Sequence, residues 1–268
     1  MARELAPAGW RSHPTTGLAH SSRQTSSASL RRLRRQPSLV LRKPDSYHPC
    51  SAIKIVEGSL VDKKQMAVAN QHFEGSIWRA AKWLNKPSHS LVYPDGSLEV
   101  ITDLQTDFWR ETHYGFIRDN GHFLGFPTAG GFTAQVRVNA DFRELYDQAG
   151  IMVRLNEETW VKAGIEFNDG NPMISSVLTQ GRSDWAPSYF SGNPGDFWLR
   201  MTVANGVLRL QYSTDGLNWP LLRLAPFPEA ESYLVGPICC TPQRQGLKVK
   251  FSEWCLTRPL ERDLHDLS

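Results

Sequence analysis

The stretch DQAGIMVRLNEETWVKAGIEFNDGNPMISSVLTQGRSDW, residues 147–185, decides the fold class. It holds three strand-like runs separated by turn signals, and its middle run alternates strictly. Val161, Ala163, Ile165 and Phe167 fall on one face, and Trp160, Lys162, Gly164 and Glu166 on the other. Successive side chains of a strand point to opposite sides, so one face is built for a core while the other carries an aromatic, a cation and a carboxylate.

The same grammar extends outward in both directions. From Leu91 onward, short runs of Val, Ile, Leu, Phe and Trp are punctuated by Asp95-Gly96, Asn120-Gly121, Asp169-Gly170, Asn205-Gly206 and Asp215-Gly216. Asn-Gly and Asp-Gly supply the positive φ of tight hairpins, so each marks a strand reversal. Strands are expected at 97–102, 122–126, 132–140, 149–155, 159–167, 173–180, 197–203, 206–213, 218–224, 233–240 and 246–256. Many short strands with no helix between them predict an all-β antiparallel sandwich or barrel. Ser213–Trp219 (STDGLNW) approaches the Asp-box hairpin but is one residue short, and is read as a plain hairpin. Upstream, Phe73, Ile77, Ala80, Ala81 and Leu84 recur at helical spacing and predict a short amphipathic helix over 72–84, with an extended segment as the alternative.

Charge is unevenly distributed. Residues 1–43 hold nine Lys or Arg against one acid, so a chain of net charge +3 has a body, 44–268, at −5. A mildly acidic body excludes nucleic-acid binding through a basic face. The first 45 residues, rich in Ser, Arg and Pro, lack the apolar surface to offset their ordering entropy and are read as a disordered tail. Their Arg-rich, acid-poor composition also matches a mitochondrial targeting segment. No apolar run reaches membrane-spanning length. Cys50, Cys239, Cys240 and Cys255 form no CxxC and include an adjacent pair, a poor arrangement for zinc or a disulfide framework. A reducing, cytoplasmic setting is expected, with the mitochondrion as the alternative.

The functional candidates come from the polar faces. If the strands at 133–139, 150–155, 159–167 and 197–203 share one sheet, a single face presents Trp160 and Trp198 among Arg137, Arg154, Lys162, Glu166 and Arg200. Aromatic rings flanked by charged hydrogen-bonding groups suit a sugar, whose C–H groups stack on the ring while its hydroxyls bond the charges. The competing interpretation is that cross-strand Arg–Glu and Trp–Arg pairs only stabilise an outward face. Glu111, Asp119, Glu166 and Asp184 are the carboxylates a glycosidase could use, but no E-x-D-x-E-like run places two on one strand. His113, Asp119 and His122 match no metal-site spacing, so neither metal nor cofactor is expected.

The segments FWRETHYGFIRDNGHFLGFP (108–127), DQAGIMVRLNEETWVKAGIEF (147–167), SSVLTQGRSDW (175–185), LRMTVANGVLRLQYSTDGLNW (199–219) and VGPICCTP (235–242) resemble the DUF1349 family. The resemblance covers about 80–258, and some members of that family carry the name "regulation of enolase". It implies a concanavalin A-like jelly-roll β-sandwich with one concave sheet, the face on which glycans bind in that fold. Four segments are therefore expected: a basic tail (1–45), an extension (46–79), the sandwich (80–258) and a C-terminal tail (259–268). The expected function is non-catalytic binding of a carbohydrate or sugar-like metabolite. Trp160 and Trp198 would stack, Arg137, Lys162, Glu166 and Arg200 would hydrogen-bond, and Trp109, His113 and Asp184 would shape the rim. The alternatives are a protein-interaction module regulating a glycolytic enzyme, and a glycoside hydrolase.

Overall fold

The computed structural model describes residues 76–268. The expectations for the basic tail and for residues 46–75 lie outside that range. The described chain begins with a 3-10 turn, Ile77–Ala80, followed by β1 (Lys82–Leu84), β2 (His89–Val92), β3 (Leu98–Ile101), β4 (Phe108–Arg110) and β5 (Ile117–Asp119). Then come β6 (His122–Thr128), β7 (Phe132–Ala140), β8 (Gln148–Arg154), β9 (Thr159–Asn168), β10 (Asn171–Gln180) and β11 (Arg182–Tyr189). The chain closes with β12 (Asp196–Ala204), β13 (Val207–Ser213), β14 (Leu221–Pro226), β15 (Tyr233–Cys240) and β16 (Lys248–Thr257).

Two seven-stranded antiparallel sheets form the expected jelly-roll sandwich, ordered β1-β6-β15-β8-β9-β10-β11 and β14-β13-β12-β7-β16-β3-β2. Ile151, Val153, Val161 and Ile165 of the first sheet pack in one core with Val136, Val138, Leu199 and Met201 of the second. This is the alternation visible in the sequence, buried as its period requires. Among the described residues of the span 72–84 there is no α-helix: after the 3-10 turn the chain is extended, as the alternative reading had it, and Trp83 pairs with Leu124 of β6. The segment is anchored by Trp78, which is buried, lies tilted against Phe126 with ring centroids 6.0 Å apart and donates its indole N–H to Gly96 O at 2.8 Å. Asn85 ends β1 in the left-handed region, at φ 58°.

The four strands of the proposed polar face do not share a sheet. β8 and β9 belong to the first, β7 and β12 to the second. Alternation assigns a residue to the inside or outside of the sandwich, but the two sheets have opposite outsides, so Trp160 and Trp198 lie on opposite sides of the molecule.

The outer side of the first sheet is itself covered. The β4–β5 hairpin lies across it, giving a second apolar cluster of Phe108, Trp109, Phe123, Met152, Trp160, Val177, Ile238 and Cys240. With both faces covered, every residue of β8 is buried. The hairpin is fastened by charge as well as packing. Asp119 receives both Arg154 guanidinium nitrogens, at 2.6 and 2.8 Å, and Arg110 N–H donates to Ser183 Oγ at 2.9 Å.

The sheet beneath depends on a glycine pair. Gly150 faces Gly164 across β8 and β9. A Cβ at either position would fall 1.8–2.0 Å from a carbonyl oxygen of the facing strand, so no other residue fits. Cys239 and Cys240 are buried free thiols, whereas Cys255 is disulfide-bonded, contrary to the expectation from spacing. Among the described residues no helix is long and apolar enough to cross a membrane.

Candidate functional site

Between the β4–β5 hairpin and the first sheet lies a cavity of about 290 Å³. Its walls are aromatic: Trp109, Tyr114 and Phe116 from the hairpin, Trp185 from β11, and Tyr146 from the loop before β8. Its floor is polar, formed by Asp107, Gln148, Lys162 and Glu166. Gln148 is on β8, and Lys162 and Glu166 are on β9, two steps apart along one face. Asp107 reaches the floor from the loop between β3 and β4.

The floor is a hydrogen-bonded network. Lys162 Nζ donates to Gln148 Oε1 at 2.6 Å and to Asp107 Oδ1 at 3.0 Å. Burial pulls the Lys162 pKa down, but Asp107, Cys240 and Glu166 together raise it further, so the ammonium stays charged. Glu166 is 6% exposed and accepts one hydrogen bond, from Ser175 Oγ at 3.2 Å. Burial pushes its carboxyl up to about 7; Lys162 opposes the shift and Asp107 adds to it. The Trp185 indole N–H lies close enough to favour the ionised Glu166, yet it is buried without a hydrogen bond of ordinary geometry. A void of about 10 Å³ remains between Lys162, Glu166 and Ser175.

The mouth is spanned by a tyrosine pair. The Tyr114 and Tyr146 hydroxyls meet at 2.9 Å, joining the hairpin to the loop before β8, and this bond pushes the Tyr146 pKa up to about 12. Tyr146 holds a left-handed backbone, φ 63°, in a loop anchored by buried Asp147. The Asp147 carboxylate accepts the N–H groups of Arg143 and Glu144 and the Arg244 guanidinium. Trp109 packs edge-on against Tyr114 at 5.6 Å, and Tyr114 stacks on Phe116 at 5.4 Å.

Of the residues singled out from sequence, the structure brings Trp109, Lys162 and Glu166 to this cavity. Trp160 lies beside it with no exposed ring surface, edge-on to Phe108 at 6.1 Å, so it supports the hairpin and offers no stacking face. Arg137, Trp198 and Arg200 lie on the outside of the second sheet in a network of ion pairs and rings. Arg137 makes a bidentate bond to Asp196 at 2.8 Å, pairs with Glu253 at 3.0 Å and lies 4.5 Å over the Trp198 ring. Trp198 Nε1 donates to Glu253, and Arg200 lies 3.7 Å over Trp219 while bonding Gln135 and the carbonyl of Ser268. There the competing interpretation, charge and ring pairs that stabilise a face, describes the geometry.

Asp184 is not on the rim. On β11 it faces away from Ser183 and Trp185 and pairs with Arg223 of the second sheet. His113 is in the hairpin loop, edge-on to Tyr114, on an outer hollow shared with Glu111 and Arg182. His122 is a strut: Nδ1 meets Asn85 O at 2.8 Å and Nε2 accepts the Asp103 N–H at 3.0 Å, which fixes the neutral Nδ1–H tautomer.

Sequence reasoning missed Asp107, Tyr114, Phe116, Tyr146 and Gln148. The missed signal was in the strands: β8 and β15 place Met152, Ile238 and Cys240 on the face assumed to be wet. Apolar residues on both faces of a strand mean that both faces are covered.

A family model described as "Protein of unknown function (DUF1349)" matches residues 83–259. The chain belongs to the DUF1349 family. Among DUF1349 relatives, "Regulation of enolase protein 1" of Saccharomyces cerevisiae is 61% identical over 186 residues, covering 69% of this chain and 93% of that protein. A crystal structure described as a functionally unknown protein from Saccharomyces cerevisiae is 58% identical with a TM-score of 0.67, covering 68% of this chain and 98% of that one. The GH43 protein BlXynB from Bacillus licheniformis shares the fold at 14% identity and a TM-score of 0.51, over 67% of this chain and 37% of that chain.

Proposed function

We propose that this DUF1349 protein is a non-catalytic binding module whose ligand, a sugar or sugar-like metabolite, enters the cavity beneath the β4–β5 hairpin. The observation that carries the reading is the cavity itself, with five aromatic residues around a buried hydrogen-bonding floor. Its volume is at the small end of the range for ligand cavities, about 300–1,000 Å³, and suits one ring better than a chain. Trp109 and Trp185 offer the flat apolar surfaces, and Gln148, Lys162 and Glu166 the polar partners for hydroxyls.

The distribution of acids supports binding over hydrolysis. Glycosidic cleavage needs two carboxyl groups flanking one bond. Glu111, Asp119 and Asp184 are each paired with an arginine, and Asp107 with Lys162. Among the described residues Glu166 is the floor carboxyl that no cation contacts as an ion pair, Lys162 acting on it only at a distance.

A thermal-shift and calorimetric screen of monosaccharides and sugar metabolites tests the reading. A ligand at a hundred times its Kd adds about 2.7 kcal/mol of stability. The stabilisation should disappear in Trp185→Ala and persist in Trp198→Ala, on the other sheet. Equal loss in both variants, or none in Trp185→Ala, would place binding elsewhere.

The name of the 61%-identical relative favours a second reading, in which the module acts on a metabolic enzyme. The exposed hairpin residues Tyr114, Phe116 and Ile117 would make the contact. Stoichiometric capture of such an enzyme, lost in Ile117→Asp, supports it. Sugar binding without capture rejects it.

A further inference from the structure

The polarity of the cavity restricts what can occupy it. The cavity is lined by two carboxyl groups, Asp107 and Glu166, against one cation, Lys162, with no arginine. Lys162 already spends two of its three N–H donors on Gln148 and Asp107. A phosphate or carboxylate entering here would find little charge to neutralise it and an acid at the floor.

Glu166 has the opposite deficit. It is buried against a single neutral hydroxyl donor, Ser175, and the tryptophan N–H beside it is unbonded. Buried carboxylates are ordinarily paired with a cation or with several donors. Around it, Trp109, Tyr114, Phe116, Tyr146 and Trp185 form an aromatic wall, and the faces of such rings carry the negative lobe of their quadrupole.

We infer that the occupant of this cavity carries a positive charge, an ammonium set between the aromatic wall and the Glu166 carboxylate. The inference rests on the reading of the cavity as a small-ligand site and adds the chemical class of its ligand. Two sources share that chemistry: the protonated amine of an amino sugar, and a methylated ammonium group. The cation supplies the missing partner of Glu166, so Glu166 ionises as the ligand binds and the proton goes to solvent. The titratable groups facing it are Lys162 on its own strand, Asp107 from the loop before β4, Tyr146 from the loop before β8 and Cys240 on β15. Lys162 is already charged, and burial holds the Cys240 thiol neutral, so neither releases that proton near neutral pH.

The test is calorimetry at pH 6.5 on the full chain with glucosamine, glucose, glucose 6-phosphate and tetramethylammonium. An ammonium desolvated against rings and a carboxylate gains about tenfold in affinity over its neutral counterpart. Glucosamine should therefore bind at least tenfold more tightly than glucose, with glucose 6-phosphate the weakest, and the glucosamine-to-glucose ratio should fall toward one in Glu166→Gln. Should that variant fail to fold, the wild type still decides. Repeating the glucosamine titration in buffers of different ionisation enthalpy should show proton release, absent with glucose. Tetramethylammonium binding without glucosamine binding would keep the cation and reject the sugar. Glucose binding as tightly as glucosamine would overturn the cation and leave the sugar-binding reading standing. Silence from all four ligands would overturn both.

Discussion

Glu166 and Trp160 lie on one strand and one face, yet only the first reaches the cavity. The hairpin makes the difference: Trp160 is fully buried in the cluster beneath it, edge-on to Phe108. Trp160→Ala is therefore a core deletion and should cost about 3–5 kcal/mol in denaturant unfolding, where a surface stacking residue would cost little. For Glu166 the sign of the pH dependence follows from its raised pKa. Below pH 4.5, its ordinary value, the carboxyl is protonated in both folded and unfolded chains. Between pH 4.5 and about 7 the unfolded chain ionises while the folded one keeps its proton, so stability falls as pH rises and then levels off. The loss is about 3 kcal/mol from this group. Glu166→Gln lacks it, so the stability of the variant relative to the wild type should grow by that amount between pH 4.5 and 7.5. A difference independent of pH would show that burial does not perturb Glu166.

At the scale of elements, most of the sandwich was legible. β7 and β15 match their expected spans residue for residue, because each is a run of apolar and β-branched residues long enough to be read without its partners. The strands missed, β1, β2, β4, β5 and β11, are short or open-edged, and their partners are chosen by tertiary contacts. β4 and β5 matter most: three residues each, they carry the lid of the cavity. The Arg154–Asp119 bond fastens that lid from a nearly buried arginine to a carboxylate about one-third exposed. Asp119→Ala should cost roughly 2–3 kcal/mol, less than removing one partner of a fully buried pair, and should expose Trp160 to fluorescence quenchers. The glycine pair under the lid tolerates no change. Gly164→Ala should prevent folding of the sheet, read as loss of the cooperative thermal transition, since the added methyl meets backbone and not a movable side chain.

For the whole molecule, the sequence carried the sandwich but not its sidedness. The Arg137, Trp198 and Arg200 group and the Lys162 and Glu166 group follow the same alternation, and only the strand order reveals that they face opposite ways. Strand order is set by long-range pairing, which a period of two does not encode. One outside became a lattice of rings and ions, under a C-terminal segment that reaches Trp219 and Arg200 through the carbonyls of Leu267 and Ser268. The other became a cavity because a hairpin was laid across it.

The most direct measurement of the cavity's role is a titration of the protein with glucosamine, followed through the tryptophan indole N–H signals in a two-dimensional NMR spectrum. The Trp109 and Trp185 signals should move together with one binding constant, while Trp198 and Trp219, across the sandwich, stay in place. Movement of Trp198 with Trp185 fixed would contradict the assignment of the ligand site to the covered face of the first sheet.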